Sequence, residues 1–91
     1  MNYHAPSVVR KHGSRTAIIV AKGRKLYQII ELDGKKLLVR SRSCEELQHL
    51  GYEQTDLPVI PAAQKYLMHS AGVSPIAKAA LEQIVEDAWL L

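Results

Sequence analysis

The stretch SRTAIIVAKGRKLYQIIELDGKKLLVRSR, residues Ser14–Arg42, decides the fold. Three segments in it, SRTAIIVA, KLYQIIEL and KKLLVRSR, are short and rich in β-branched and aliphatic residues. Glycine-containing turns separate them, which is the pattern of consecutive antiparallel strands. The expected strands are Ser14–Ala21, Lys25–Leu32 and Lys35–Arg42. Asp33-Gly34 is the strongest turn signal in the chain. A type I′ turn needs positive φ at both central residues, which Asp tolerates and Gly adopts freely.

A two-residue loop at Asp33-Gly34 fixes a register. It sets Leu32 opposite Lys35, Ile30 opposite Leu37, Gln28 opposite Val39 and Leu26 opposite Ser41. That face is apolar through Leu26, Ile30, Leu32, Leu37 and Val39. The other face sets Glu31 opposite Lys36, Ile29 opposite Leu38, Tyr27 opposite Arg40 and Lys25 opposite Arg42. It is basic, with one aromatic and two aliphatic residues among the charges. The first strand is apolar on both sides, with Ile18 and Val20 on one and Ala17, Ile19 and Ala21 on the other. A strand of that kind needs cover on both faces. In a simple meander it is also an edge, which proteins protect or use for pairing. Dimerisation, or cover by the N-terminal segment, would supply what it lacks.

Outward from this stretch, residues 1–13 (MNYHAPSVVRKHG) show no periodicity and read as a flexible arm, with Val8 and Val9 able to dock on the sheet. The C-terminal side is helical. Ser43-Cys44-Glu45-Glu46 matches a capping box, and the two acids suit a positive helix end. Gly51 is placed to end that helix in the left-handed region. Tyr52–Ile60 reads as a loop, followed by a helix over Ala62–Ser70 with Pro61 in its first turn. Gly72 ends it. Pro75–Trp89 is the longest helix, with Ala77, Ala80, Leu81, Ile84, Val85 and Ala88 at helical spacing and Lys78, Glu82 and Glu86 on the wet side. The expected fold is a single α+β domain over residues 1–91: a three-stranded antiparallel meander, then three helices packed on one sheet face (β-β-β-α-α-α).

Charge divides the chain. Residues 1–42 hold ten Lys and Arg against Glu31 and Asp33, a net +8. Residues 43–91 hold Lys65 and Lys78 against seven acids, a net −5, and the overall +3 hides the split. Such asymmetry speaks about partners rather than fold. On the basic face Lys25, Tyr27, Lys36, Arg40 and Arg42 project together, with Arg24, Lys22, Arg15 and the arm's Arg10, Lys11 and His12 nearby. Clustered cations bind phosphate through counterion release, and an exposed aromatic among them can stack on a base. The leading expectation is therefore a non-enzymatic binding module for DNA or RNA, with Arg24, Lys25, Lys36, Arg40 and Arg42 on phosphates and Tyr27 stacking. The rival expectation is a protein-interaction module or homodimer. It would use Ile18 and Val20 of the first strand and the apolar end Trp89-Leu90-Leu91.

No catalytic signature accompanies these features, and no cofactor is expected. Cys44 lies in the first turn of a helix, where the dipole favours thiolate. His49, five residues on, sits about 140° round the helix and points away from it. The four His residues and single Cys show no metal-ligand spacing, and no phosphate-binding glycine fingerprint occurs. The turn Ala71-Gly72-Val73-Ser74 resembles that of helix-turn-helix repressors, over Gln64–Gln83. Lys78 stands where those motifs have a buried apolar residue and Met68 where they have a small one. Glu82, Glu86 and Asp87 would repel phosphate, so a plain helical hairpin is the reading taken. No apolar run reaches the ~20 residues of a membrane span, no secretory signal opens the chain, and one cysteine excludes an internal disulfide. These features lead us to expect a cytoplasmic protein.

Overall fold

A computed structural model describes residues 3–11, 15–70 and 74–89, the last two by their backbone alone. It has an antiparallel sheet with helices, so the α+β class holds, but the sheet is larger than the meander expected from sequence. The order along the chain is β1 (Ser7–Lys11), β2 (Arg15–Lys22), β3 (Leu26–Asp33), β4 (Lys36–Ser43), α1 (Cys44–His49), β5 (Glu53–Gln54), α2 (Val59–His69) and α3 (Pro75–Trp89). In space the strands run β4-β3-β2-β1-β5.

The first correction concerns the N-terminal segment. It is not a free arm: Ser7–Lys11 pairs with β2 on one side and β5 on the other. Val8 and Val9 face opposite sides of the sheet and are both essentially inaccessible, at 1% and 0%. Two adjacent valines can be buried together only if the sheet is covered twice. The residues read as loop after Gly51 supply the outer strand, and the Thr55 hydroxyl donates to the Val8 carbonyl at 2.7 Å. β2 is consequently interior, not an edge. Its two-sided apolarity is satisfied within the chain, with Ala17, Ile18 and Ile19 all at 0% exposure.

The hairpin register also differs. Asp33 pairs with Lys36, Leu32 with Leu37, Ile30 with Val39 and Tyr27 with Arg42. The two turn residues are Gly34 and Lys35, with Gly34 at φ +63°. Glycine adopts that conformation without strain at the first central position, which leaves Asp33 free to end the strand. The shift relative to the expected register is two residues, so every side chain keeps its face. β2 carries a bulge between Ile19 and Ala21. The extra residue, Val20, reverses the alternation and turns Lys22 to the side of Tyr27.

Helices cover both faces of the sheet, not one. On one side α2 and α3 bury Ala63, Tyr66, Ala77, Leu81 and Ile84 against Ile18, Ile30 and Leu37. On the other, Leu47 of α1 joins Tyr3, Tyr27 and Tyr52 over Val9, Ala17, Ile19 and Ile29. Full burial of one such aliphatic side chain contributes about 1.5–3 kcal/mol over leaving it exposed. The ends of α1 follow from its sequence. The Ser43 hydroxyl accepts from the Glu46 N–H at 3.1 Å, and the Glu46 carboxylate accepts from the Ser43 N–H at 3.0 Å. Gly51 lies at φ +89°. Its N–H donates to the Gln48 carbonyl, and that of Tyr52 to the Leu47 carbonyl, each at 3.0 Å. Those bonds satisfy carbonyls that the helix end leaves open. α2 starts at Val59, two residues before Pro61, which sits where a helix has no N–H to lose. Residues 71–73, including the expected helix stop at Gly72, lie outside the described residues.

Candidate functional site

β4 forms one border of the sheet and carries three of the cations picked out in the sequence. Lys36 is exposed at its start, Arg40 is exposed at its middle, and Arg42 is half-buried near its end. Arg24 and Lys25 are exposed in the turn between β2 and β3. Because Arg42 pairs with Tyr27 and Tyr27 pairs with Lys22, these strand ends bring Lys22 and Arg42 to the side of the sheet reached by that turn. Lys36 lies six residues before Arg42 along β4, or ~20 Å in an extended strand. The result is a cationic border along β4, not a compact patch on the sheet face.

Tyr27 is not on the surface. Its exposure is 4%, and its ring meets that of Tyr3 edge-on, with centroids 5.7 Å apart at 81°. The Tyr27 hydroxyl accepts from the Tyr3 N–H at 3.2 Å. The Lys22 ammonium stands 5.8 Å from the ring centroid, a cation–π contact made possible by the bulge at Val20. Stacking of Tyr27 on a base would require Tyr3 and the segment behind it to leave. Nothing in the local sequence around Tyr27 signals this cover, because Tyr3 lies 24 residues upstream.

The remaining cations are largely uncommitted. Among the described residues, ion pairs join only Arg40 to Glu31 and Lys78 to Glu82, both at 3.8 Å. The Arg42 guanidinium donates to its neighbour Ser41's carbonyl at 3.2 Å. Glu46 faces Arg42 electrostatically, but its carboxyl is held below the usual range chiefly by the Ser43 backbone N–H.

A second cationic region was not singled out as a site in the sequence. At the end of the sheet opposite the β2–β3 turn, Lys11, Arg15, Arg40 and Lys65 surround Glu31 and Tyr52 in a cleft of about 320 Å³. The Lys11 ammonium lies 5.8 Å from the Tyr52 ring centroid. Burial, and then the neighbouring Glu31 carboxylate, push the Tyr52 hydroxyl up to about 12. It therefore remains protonated across the neutral range and offers a hydrogen bond, not a base. The four cations come from β1, β2, β4 and α2, so no local motif announces them.

The apolar residues proposed for an interface have different fates. Ile18 is at 0% exposure in the core, and Val20 is half-buried against the same cluster. Trp89 is the last residue of α3, while Leu90 and Leu91 lie outside the described residues. Among the described residues the most exposed large apolar side chains are instead Met68, at 81%, and Ile76, at 73%, near the C-terminal end of α2 and the N-terminal end of α3. Cys44 is half-buried at the start of α1 and packs against the tyrosine cluster. Among the described residues no three His, Cys, Asp or Glu side chains are grouped to hold a metal, and no helix is long and apolar enough to cross a membrane. No protein-family model matches the chain, and no curated protein or solved structure is significantly similar to it.

Proposed function

We propose that the protein is a non-enzymatic nucleic-acid-binding module that engages the phosphate backbone along β4 and the β2–β3 turn. The observation that carries this reading is the set of exposed or half-exposed cations Arg24, Lys25, Lys36, Arg40 and Arg42, of which only Arg40 has an acidic partner within 4.0 Å among the described residues. Unpaired cations along a strand can follow a phosphate chain and release its counterions. The burial of Tyr27 removes base stacking from the mechanism, so the reading is of electrostatic contact with little sequence preference. Lys22 joins the set, because the bulge places it on the same side.

Fluorescence anisotropy with mixed-sequence DNA and RNA, run over a salt series, tests it. Saturable binding should weaken steeply with salt and disappear in Arg40→Glu/Arg42→Glu, while Tyr27→Phe should leave affinity unchanged. Absence of binding at low salt would overturn the reading.

A second reading, contact between copies of the chain, is favoured by the exposure of Met68 near the C-terminal end of α2 and of Ile76 near the N-terminal end of α3. Light scattering after size exclusion would detect a dimer, and Met68→Ser/Ile76→Ser should dissociate it.

A further inference from the structure

We infer that the free edge of β4 accepts an extended acidic peptide as an additional strand of the sheet. This goes beyond phosphate binding, because it rests on the main chain of β4 and not on its cations alone. β4 is eight residues long, contains no proline, and pairs with β3 in unbroken register from Lys36 to Ser43. Among the described residues it is the outermost strand, with β3 as its one strand neighbour. Asp33 and Lys36 close a two-residue hairpin, so they exchange hydrogen bonds and the pattern alternates from there. Lys36, Leu38, Arg40 and Arg42 turn their backbone groups towards β3. Leu37, Val39 and Ser41 turn theirs outward. Among the described residues, no loop or cap hydrogen bond reaches those three positions, and the Ser41 carbonyl accepts from the adjacent Arg42 guanidinium at 3.2 Å, a bond that an incoming strand must share or displace. Val39 and Ser41 are exposed at the middle of the strand, whereas the Leu37 side chain is buried with Leu81 and Ile84 of α3.

The charges on β4 determine which strand can join it. Lys36, Arg40 and Arg42 share one face, and no acid stands on the strand. Edge strands are commonly protected from self-association by such charges. A second β4, paired antiparallel about Val39, would bring Lys36 opposite Arg42, a destabilising like-charge pair. The same three cations favour a strand with carboxylates at alternate positions. On the other face Val39 is 38% exposed and offers an apolar contact to an intervening aliphatic residue. The occupant is therefore an acidic, alternating, extended peptide, bound by strand addition.

Backbone amide NMR on the full chain tests this with a peptide of alternating Glu and Val, roughly eight residues to match β4. Three controls accompany it: the same peptide N-methylated at every second amide, a Lys–Val peptide, and a single-stranded oligonucleotide. The Glu–Val peptide should shift the amides of Leu37, Val39 and Ser41 and slow their hydrogen exchange. N-methylation on the pairing edge should abolish this, and the Lys–Val peptide should not bind. Arg40→Glu/Arg42→Glu should weaken the complex by about tenfold or more. Equal binding of the N-methylated peptide would overturn the inference, as would slow exchange of those amides in the free protein, which would mean that the edge is already paired. If the oligonucleotide perturbs β4 while the Glu–Val peptide does not, the strand-addition inference fails and the phosphate reading stands. If only the peptide binds, the phosphate reading fails and this one stands.

Discussion

The two faces of the sheet are covered in different ways. On one, α2 and α3 form a continuous aliphatic layer whose apolar positions recur at helical spacing. On the other, the cover is assembled from pieces far apart in sequence: Tyr3, the short helix α1 and Tyr52. The second cover is joined by polar handles. The Tyr3 hydroxyl donates to the Tyr52 carbonyl at 2.7 Å, and the Tyr3 N–H donates to the Tyr27 hydroxyl at 3.2 Å. The first is tied through a single tyrosine, Tyr66, whose hydroxyl donates to the Thr16 carbonyl at 2.8 Å and lies 3.1 Å from the Thr16 hydroxyl. A helical hairpin brings its own regular backbone bonding and can be largely apolar. A cover made of irregular chain must satisfy its polar groups one by one.

Substitutions can break or sharpen this contrast. The largest effects belong to the cores themselves. Leu81→Ala on the helical side and Leu47→Ala on the tyrosine side each remove a side chain at 0% exposure, and each should cost about 2–5 kcal/mol in urea unfolding. Similar losses would show that the two covers fold as one cooperative unit. An early partial transition in Leu47→Ala alone would show that the tyrosine side opens separately.

Alkaline titration acts on tyrosines of both sides. Burial raises Tyr3 and Tyr66, and Tyr52 is raised to about 12. A raised folded-state value means that the unfolded chain loses its proton first. Stability is therefore intact below pH 10 and falls as pH rises through the folded values, up to about 12 for Tyr52. Tyr52→Phe should flatten that decline in thermal unfolding measured from pH 9 to 12.

Smaller effects fall on single hydrogen bonds. Ser43→Ala removes the α1 cap and should cost about 1 kcal/mol. Acid acts on the same box: the depressed Glu46 carboxyl contributes above its unfolded value and loses that contribution as pH falls through the folded one. Tyr3→Phe and Tyr66→Phe each delete one hydroxyl and should cost about 0.5–1.5 kcal/mol. If the tyrosine side depends on its polar handles, Tyr3→Phe should also speed amide exchange in β1, whereas Tyr66→Phe should not.

The same contrast explains what could be read from the sequence. The face of Leu81 and Ile84, the capping box at Ser43 and the left-handed Gly51 all follow from signals within one helical turn or a few residues. Periodicity and capping are local, so they survive without knowledge of the fold. β1 escaped because Val8-Val9 is a short apolar pair between a proline and basic residues, and its strand character comes from two partners, one of them more than 40 residues away. The hairpin slipped because Asp33-Gly34 and Gly34-Lys35 are both two-residue turns with glycine, and parity alone cannot choose between them. At the candidate site, the cations were readable one by one. The withdrawal of Tyr27 was not, since it depends on Tyr3.

The position of β1 between β2 and β5 also orders the folding of the chain. The strands from β1 to β4 follow one another, so each pairing closes a short loop. β5 joins across more than 40 residues, where Gln54 pairs with Val9 and Glu53 with Arg10, and must wait for that longer closure. Native-state hydrogen exchange should therefore show the β1–β5 pairing opening at lower free energy than β3–β4. The outer strand is the last part of the sheet to form and the first to be released.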